Sequence, residues 1–219
     1  MPKPIRLRVF GDYALFARPE LKVERYSYDV MTPSAARGIL DAIYYHPGLK
    51  WRIKRIYVER PIRFTNVRRN EVDRKILASD LLSAANGSGE PIYIDRRESI
   101  QQRASTILRD VSYVIEANFV LIPEKMGRED NEDKFYAIFC NRARRGKCFT
   151  QPYFGCREFP ASFELVTDEN PPKPIDESRD LGIMLYDMDF SDEKNIQPTF
   201  FHAEMKAGIV DVEGKDVLR

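Results

Sequence analysis

Histidine is nearly absent. His46 and His202 are the only two in 219 residues, which excludes a histidine-rich metal site. Cysteine occurs three times, at Cys140, Cys148 and Cys156, an odd number with no C-x-x-C pair. That usage fits a reducing cytosol better than a disulfide or zinc framework. No apolar run approaches the ~18 residues a membrane helix needs. The opening MPKPIRLRVFGDY carries no secretory hydrophobic region, so a cytoplasmic protein with no membrane partner is expected. No nucleotide-binding P-loop, H-E-x-x-H, EF-hand or G-x-S-x-G motif occurs, and the acids form no metal-cluster spacing. Neither a metal nor a cofactor is expected, and there are no internal repeats.

What is present is a globular composition, 43% hydrophobic and 32% charged. Net charge is +1, but it is unevenly spread. Asp168 to Arg219 holds 13 acids and 6 bases, a net of −7, so residues 1–167 carry +8. A basic body beside an acidic tail suggests an anionic partner for the body, although the tail also simply neutralises it.

Ile5 to Phe16 alternates as a strand, with Ile5, Leu7 and Val9 on one face and Arg6 and Arg8 on the other. Gly11-Asp12 predicts a bulge or bend. Thr32-Pro33 starts a helix, and Ala36, Ile39, Leu40, Ile43 and Tyr44 follow at helical spacing until Pro47-Gly48 stops it. Trp51 to Val58 predicts a second strand running on through Ile62 and Phe64. Asn66 to Asp95 reads as polar and irregular, with Arg68-Arg69-Asn70 at its start and Asn86-Gly87-Ser88-Gly89 near its end. Val111 to Ile122 predicts a third strand.

Asn131 to Phe163 carries the densest signal and reads as a helix, a basic tip, a glycine-containing turn and a strand. Phe135, Ile138 and Phe139 share a helical face with Arg142, capped by Asn131, with Glu132 and Asp133 suiting the positive helix N-terminus. Arg142, Arg144, Arg145 and Lys147 load its far end and Gly146 closes it. Then Tyr153-Phe154-Gly155-Cys156-Arg157-Glu158-Phe159-Pro160 mixes aromatics with a cation. Arginines at a helix C-terminus are ordinarily solvated charge compensators. Beside an aromatic loop they also fit RNA, which makes Arg142, Arg144, Arg145, Lys147, Arg157, Arg68 and Arg69 the candidate RNA contacts.

The order strand, helix, strand, strand, helix, strand is an α+β, ferredoxin-like βαββαβ core. RNA-recognition domains share it and read single strands on the sheet. The expected division is an RNA-binding domain at 1–167 and a small C-terminal β appendage at 168–219, joined through Thr167–Ser178.

RNA offers a reaction that needs no metal, because its own 2′-OH can attack the neighbouring phosphate. Tyr44, Tyr45 and His46 end the first helix and Lys134 lies in the first turn of the second, so side-by-side helices would bring them together. Each also has an ordinary reading, Tyr44 as a half-buried aromatic and Lys134 as a surface lysine.

The phrases FGDYALFARPELKVERYSYDVMTPSAARGILDAIYY, NVRRNEV, QQRASTILRDVSYVIEA and GCREFPASFE resemble CRISPR-associated Cas family five in its type I-C (Dvulg) form, over most of residues 5–167. The resemblance implies a repeat-RNA-binding protein with a ferredoxin-like core and a C-terminal β region. It further implies a metal-independent endoribonuclease that cuts repeat RNA at the hairpin base and stays on the 5′ handle. The implied partners are guide RNA, the backbone and large subunits of the type I-C surveillance complex and, further, target DNA. The family's catalytic tyrosine falls on Tyr44 and its lysine on Lys134, while its histidine position holds Phe135. Either Tyr44 and Lys134 suffice, or His46 contributes. A purely handle-binding subunit is the alternative function.

Overall fold

Alternation of apolar and charged side chains makes β1 (Ile5–Ala14) a strand with one buried face, and Ile5, Leu7 and Val9 are all at or below 2% exposure. The computed structural model describes residues 4–21, 23–87, 92–192 and 194–219. After β1 come β2 (Arg25–Tyr26), α1 (Pro33–Ile43), β3 (Leu49–Val58), β4 (Phe64–Val72), α2 (Ala78–Ala85), α3 (Arg96–Ser99) and β5 (Ile100–Leu121). Then follow a 3₁₀ turn (Pro123–Lys125), α4 (Glu132–Arg144), β6 (Ser162–Leu165), β7 (Arg179–Asp189), β8 (Gln197–Lys206) and β9 (Ile209–Asp211).

Among the described residues nine strands form one sheet, and its pairings are antiparallel except for the short β2·β5 contact. β5 is its spine. One edge pairs with β1 (Ile5↔Ala117 to Ala14↔Leu108), and the other pairs first with β3 and then with β4. The main path runs β6-β1-β5-β3-β9-β8-β7. The C-terminal strands therefore continue the same sheet through the β9·β3 pairing at Tyr57↔Ile209.

Three expectations need correction. Trp51–Val58 does not run on through Ile62 and Phe64. The strand ends at Val58, Pro61 offers no N–H for a ladder, and Glu59 turns inward to bind Arg8. Asn66 to Asp95 is not irregular throughout, because β4 extends through Val72 along Leu108–Ile100 of β5 and α2 lies beyond it. Ser88 and Gly89 lie outside the described residues. Gly11 makes no bulge, since the register passes from Phe10↔Ser112 to Tyr13↔Arg109 without a shift. A Cβ at Gly11 would lie 2.9 Å from Cε2 of Phe154, so the glycine admits a close approach instead.

Ion pairs occupy the sheet face opposite the core. The Arg8 guanidinium binds Glu59 at 2.8 and 2.9 Å and Glu164 at 2.8 Å, with the Arg8 and Glu59 side chains only 10% and 9% exposed. Glu116 accepts from Arg6 at 2.6 Å and from the Tyr57 hydroxyl at 3.0 Å. The proline-rich segment is tied across this face. The Pro171 carbonyl accepts from Arg8 at 3.1 Å, and the Lys173 N–H donates to Glu59 at 3.0 Å. Burial pushes the Glu59 carboxyl up, but hydrogen bonds from Arg8, the Lys173 backbone and Ser112 outweigh it and hold it below the usual carboxylate range.

Candidate active site and nucleic-acid interface

The site begins where α1 ends. Thr32 caps the helix, its hydroxyl accepting from the Ala35 N–H at 3.2 Å, and Pro33 fills the first position. Ala36, Ile39, Leu40 and Ile43 bury one face. Tyr44 is the C-cap in extended conformation. Its N–H donates to the Leu40 carbonyl at 2.9 Å, and its own carbonyl lies 3.4 Å from the Trp51 indole nitrogen. Both ends of the Tyr44 backbone are thus fixed, and its side chain is 7% exposed.

α4 delivers the other half. The Asn131 side chain accepts from the Lys134 N–H at 2.8 Å, and Phe135, Phe139, Cys140 and Ala143 are buried. Phe139 packs on Trp51 at 4.9 Å between centroids, and Phe135 contacts Tyr44 at 6.2 Å and His46 at 4.7 Å. Rings from both helix ends interlock, which sets the polar groups beside them.

The polar cluster comprises Tyr44, His46, Lys134 and Asp130. Lys134 Nζ donates to Asp130 Oδ1 at 3.0 Å. Asp130 Oδ2 accepts the Gly127 N–H at 2.8 Å and lies 3.4 Å from His46 Nε2. His46 Nδ1 accepts the Gly48 N–H at 3.0 Å, so in the neutral ring the proton resides on Nε2, facing Asp130. Asp130 is a residue the sequence reading missed. Its only signal was the i, i+4 spacing to Lys134 within an acid-rich run.

Charge settles the state of each group. The hydrogen bond to Asp130 holds the Lys134 ammonium above the ordinary lysine range. The Gly127 N–H, then Lys134, hold the Asp130 carboxyl below its ordinary range. Burial, then the Asp130 charge, push the Tyr44 phenol up, against a smaller opposite pull from Arg142 and Lys134. At neutral pH the cluster holds a phenol, an ammonium and a carboxylate, with the His46 ring beside them.

The proposed RNA contacts divide into two groups. Arg144, Arg145 and Lys147 are exposed at the end of α4, where Gly146 takes a φ of 64° to close the helix. Arg68 and Arg157 are exposed as well. Arg142 is not part of that tip. Its guanidinium donates to the Ile43 carbonyl at 2.9 Å and stacks over the Tyr44 ring at 5.1 Å. Arg69 is tied down too, paired with Glu158 and lying 5.2 Å over the Phe159 ring, with its side chain 16% exposed.

The aromatic loop is only partly available to a ligand. Phe154 is fully buried against Phe16 and Tyr113, and the Leu15 N–H donates to its carbonyl at 3.0 Å. Gly155 has a φ of 75°, and a Cβ there would stand 2.1 Å from the Leu15 carbonyl oxygen. The motif phrases GDYALF and GCREFPA therefore pack on each other. Tyr153 and Arg157 stay exposed at the surface. Among the described residues no group of three or more His, Cys, Asp or Glu is placed to hold a metal ion, and no helix is long and apolar enough to cross a membrane.

Solved structures place this architecture. A crystal structure of a CRISPR-associated protein matches with a TM-score of 0.70 at 22% identity, covering 99% of this chain and 97% of that one. A chain of a CRISPR RNA-guided surveillance complex matches with a TM-score of 0.54 at 14% identity, covering 99% and 91%. At these identities the likeness is one of fold, a mixed α/β architecture on a large antiparallel sheet.

Sequence narrows the class. The chain belongs to the Cas5d family of CRISPR-associated proteins, whose model matches residues 5–213. A protein of Mannheimia succiniciproducens named CRISPR pre-crRNA endoribonuclease Cas5d is 50% identical over 97% of this chain and 96% of its own length. A Thermus thermophilus protein of the same name is 36% identical over 95% of this chain and 90% of its own length.

Proposed function

We propose that this chain is a CRISPR pre-crRNA endoribonuclease. The observation that carries this reading is the meeting of two helix ends, where Lys134 and His46 lie on the Asp130 carboxylate and Tyr44 packs on Phe135 beside them, in a chain whose relative at 50% identity bears that name. The reaction is a transesterification. The RNA 2′-oxygen bonds to the adjacent phosphorus, the bond from phosphorus to the 5′-oxygen breaks, and the products are a 2′,3′-cyclic phosphate and a 5′-hydroxyl.

Lys134 stays cationic through neutral pH and stabilises the charge that develops on the phosphorane. Tyr44 acts as a neutral phenol. Its raised pKa makes it a hydrogen-bond donor and proton source for the departing 5′-oxygen rather than the base for the 2′-OH, whose proton leaves to solvent. His46 has one nitrogen engaged by Gly48 and the other facing Asp130, which suits a buttress better than a base. Of the two arrangements open in the sequence, Tyr44 with Lys134 as the reacting pair is favoured. Arg144, Arg145, Lys147, Arg68 and Arg157 supply phosphate contacts.

The succession β1-α1-β3-β5-α4-β6 with spatial order β6-β1-β5-β3 supports a ferredoxin-like core within 1–167, with 168–219 as its C-terminal β region. After cutting, the protein holds the 5′ handle beside the backbone and large subunits of a cytoplasmic surveillance complex, close to target DNA. The test is incubation of the purified protein with repeat RNA in EDTA. Cleavage to a cyclic phosphate is expected, and it should stop when the 2′-OH before the cut is replaced by hydrogen. If RNA binds tightly and is never cut, the chain is a handle-binding subunit instead.

A further inference from the structure

We infer that Asp130 is the positioning residue of this site, holding the Lys134 ammonium and the His46 imidazole on one carboxylate; the inference rests on the catalytic reading above. Lysine has a long flexible stem, and the Lys134 side chain is 41% exposed. Left alone it would sample many rotamers. Asp130 is only 11% exposed and is itself held from two directions. Its Oδ2 accepts the Gly127 N–H at 2.8 Å, and its N–H donates to the Gly127 carbonyl at 3.1 Å, closing a turn just before α4. The carboxylate is therefore fixed before Lys134 reaches it.

The loop after α1 is locked to the segment that leads into that turn. The Ile122 N–H donates to the Gly48 carbonyl at 2.8 Å, and a Cβ at Gly48 would lie 2.7 Å from Cγ of Met126. His46, fixed through Nδ1 and packed on Phe135, presents Nε2 to the same carboxylate. One carboxylate thus ties the end of α1 to the start of α4. An ammonium has three N–H donors, and Asp130 uses one. The other two remain for a phosphate, and their direction follows from the bond to Asp130. Arg142 and Glu129 are the remaining charged groups that face this cluster. Among the described residues Lys134 has a single short side-chain partner, Asp130.

Asp130→Asn tests this, since it keeps the shape and removes the charge. Single-turnover cleavage of repeat RNA should slow roughly tenfold to a hundredfold, the scale of a misplaced catalytic group. Affinity should change less than about twofold, and in a Lys134→Ala background the substitution should cost nothing more, as expected for members of one unit. Asp130→Glu should recover part of the rate. A second readout needs no cleavage. The Lys134 ammonium, followed by NMR of side-chain-labelled lysine, should titrate at lower pH in Asp130→Asn than in wild type. Cleavage at the wild-type rate, or an additive loss on Lys134→Ala, would overturn the inference. If wild type does not cut, the catalytic reading falls and the titration alone decides: a downward shift upholds Asp130 as the anchor of Lys134, and an unchanged titration removes it.

Discussion

Removing the Lys134 ammonium should cost far more in rate than in binding. The side chain is 41% exposed and bonded to Asp130 at 3.0 Å, so its truncation to alanine opens no cavity in the core. On the proposed mechanism, what disappears is a fixed positive charge beside the reacting phosphate. Loss of one preorganised donor of this kind raises a barrier by about 2.7–4 kcal/mol, or roughly 10²–10³ in rate. Tyr44→Phe keeps a ring that is 7% exposed and packed against Phe135 and Arg142, and it removes only the proton source. A comparable factor is expected. The double variant should be little slower than either single one, because the two groups serve one transition state.

The assay is single-turnover cleavage of labelled repeat RNA in EDTA, with affinity measured on an uncleavable 2′-deoxy substrate. Rates should also be taken from pH 6 upward. The ordinary values near 10.5 for lysine and 10.0 for tyrosine are both raised here, so both groups hold their protons across neutrality. Activity that depends on the protonated forms should survive to about pH 10 and fall beyond it. Wild-type rates in Lys134→Ala would refute the reasoning. So would a loss shared equally by affinity, which would make Lys134 a plain binding residue.

Three exposed cations at the α4 tip predict a slope of log affinity against log salt of about −2 to −3 from that cluster, and neutralising Arg144 with Arg145 should remove most of it; an unchanged slope would leave the tip as solvated surface. Arg68→Ala should weaken repeat-RNA binding at constant melting temperature, whereas Arg69→Ala should cost about 1 kcal/mol of stability through its lost contacts with Glu158 and Phe159, and equal melting temperatures would contradict the distinction. Glu59→Gln should destabilise by about 3 kcal/mol at pH 7, because Arg8 keeps a buried charge without its main partner. Since the folded Glu59 pKa is depressed, its contribution is present above the ordinary value near 4.5 and is lost as pH falls through the folded value, so wild-type and variant curves should converge in acid; parallel curves would refute the assignment. Phe135→His should cost about 1–3 kcal/mol by placing imidazole nitrogens in a fully buried site, and a thermally neutral variant would show that the position admits water.

Helices α1 and α4 were legible because their signals are local, whereas α2 and α3 fell in or beside a stretch read as irregular. Thr32-Pro33 and Asn131 are caps whose side chains bond within three residues, and the apolar faces of α1 and α4 follow helical spacing. β4 and the first half of β5 were illegible for the opposite reason. Their ladder from Asn66↔Thr106 to Asn70↔Gln102 is largely polar, with Arg68, Asn70 and Gln102 exposed, so no alternation of apolar residues marks it. The glycines of GDYALF and GCREFPA were visible, but not that Gly155 docks on Leu15 from across the chain. Asp130 escaped notice because Gly127 and His46 reach it only through the folding of two loops.

Phe135 now has a physical account. The resemblance sets a histidine there, yet in this fold the side chain is fully buried and its ring contacts Tyr44, His46 and Phe119. An imidazole at that depth would need partners for two ring nitrogens among aromatic faces. The chain instead places a hydrocarbon ring in the depth and an imidazole above it, His46, 27% exposed and 4.7 Å from Phe135. There Nδ1 accepts the Gly48 N–H, and Nε2 lies 3.4 Å from the Asp130 carboxylate. Relative to what the resemblance implies, α4 lacks a proton carrier at this position while the site keeps an imidazole. On the proposed mechanism the chemistry then rests on a phenol and an ammonium, with Asp130 and His46 beside them.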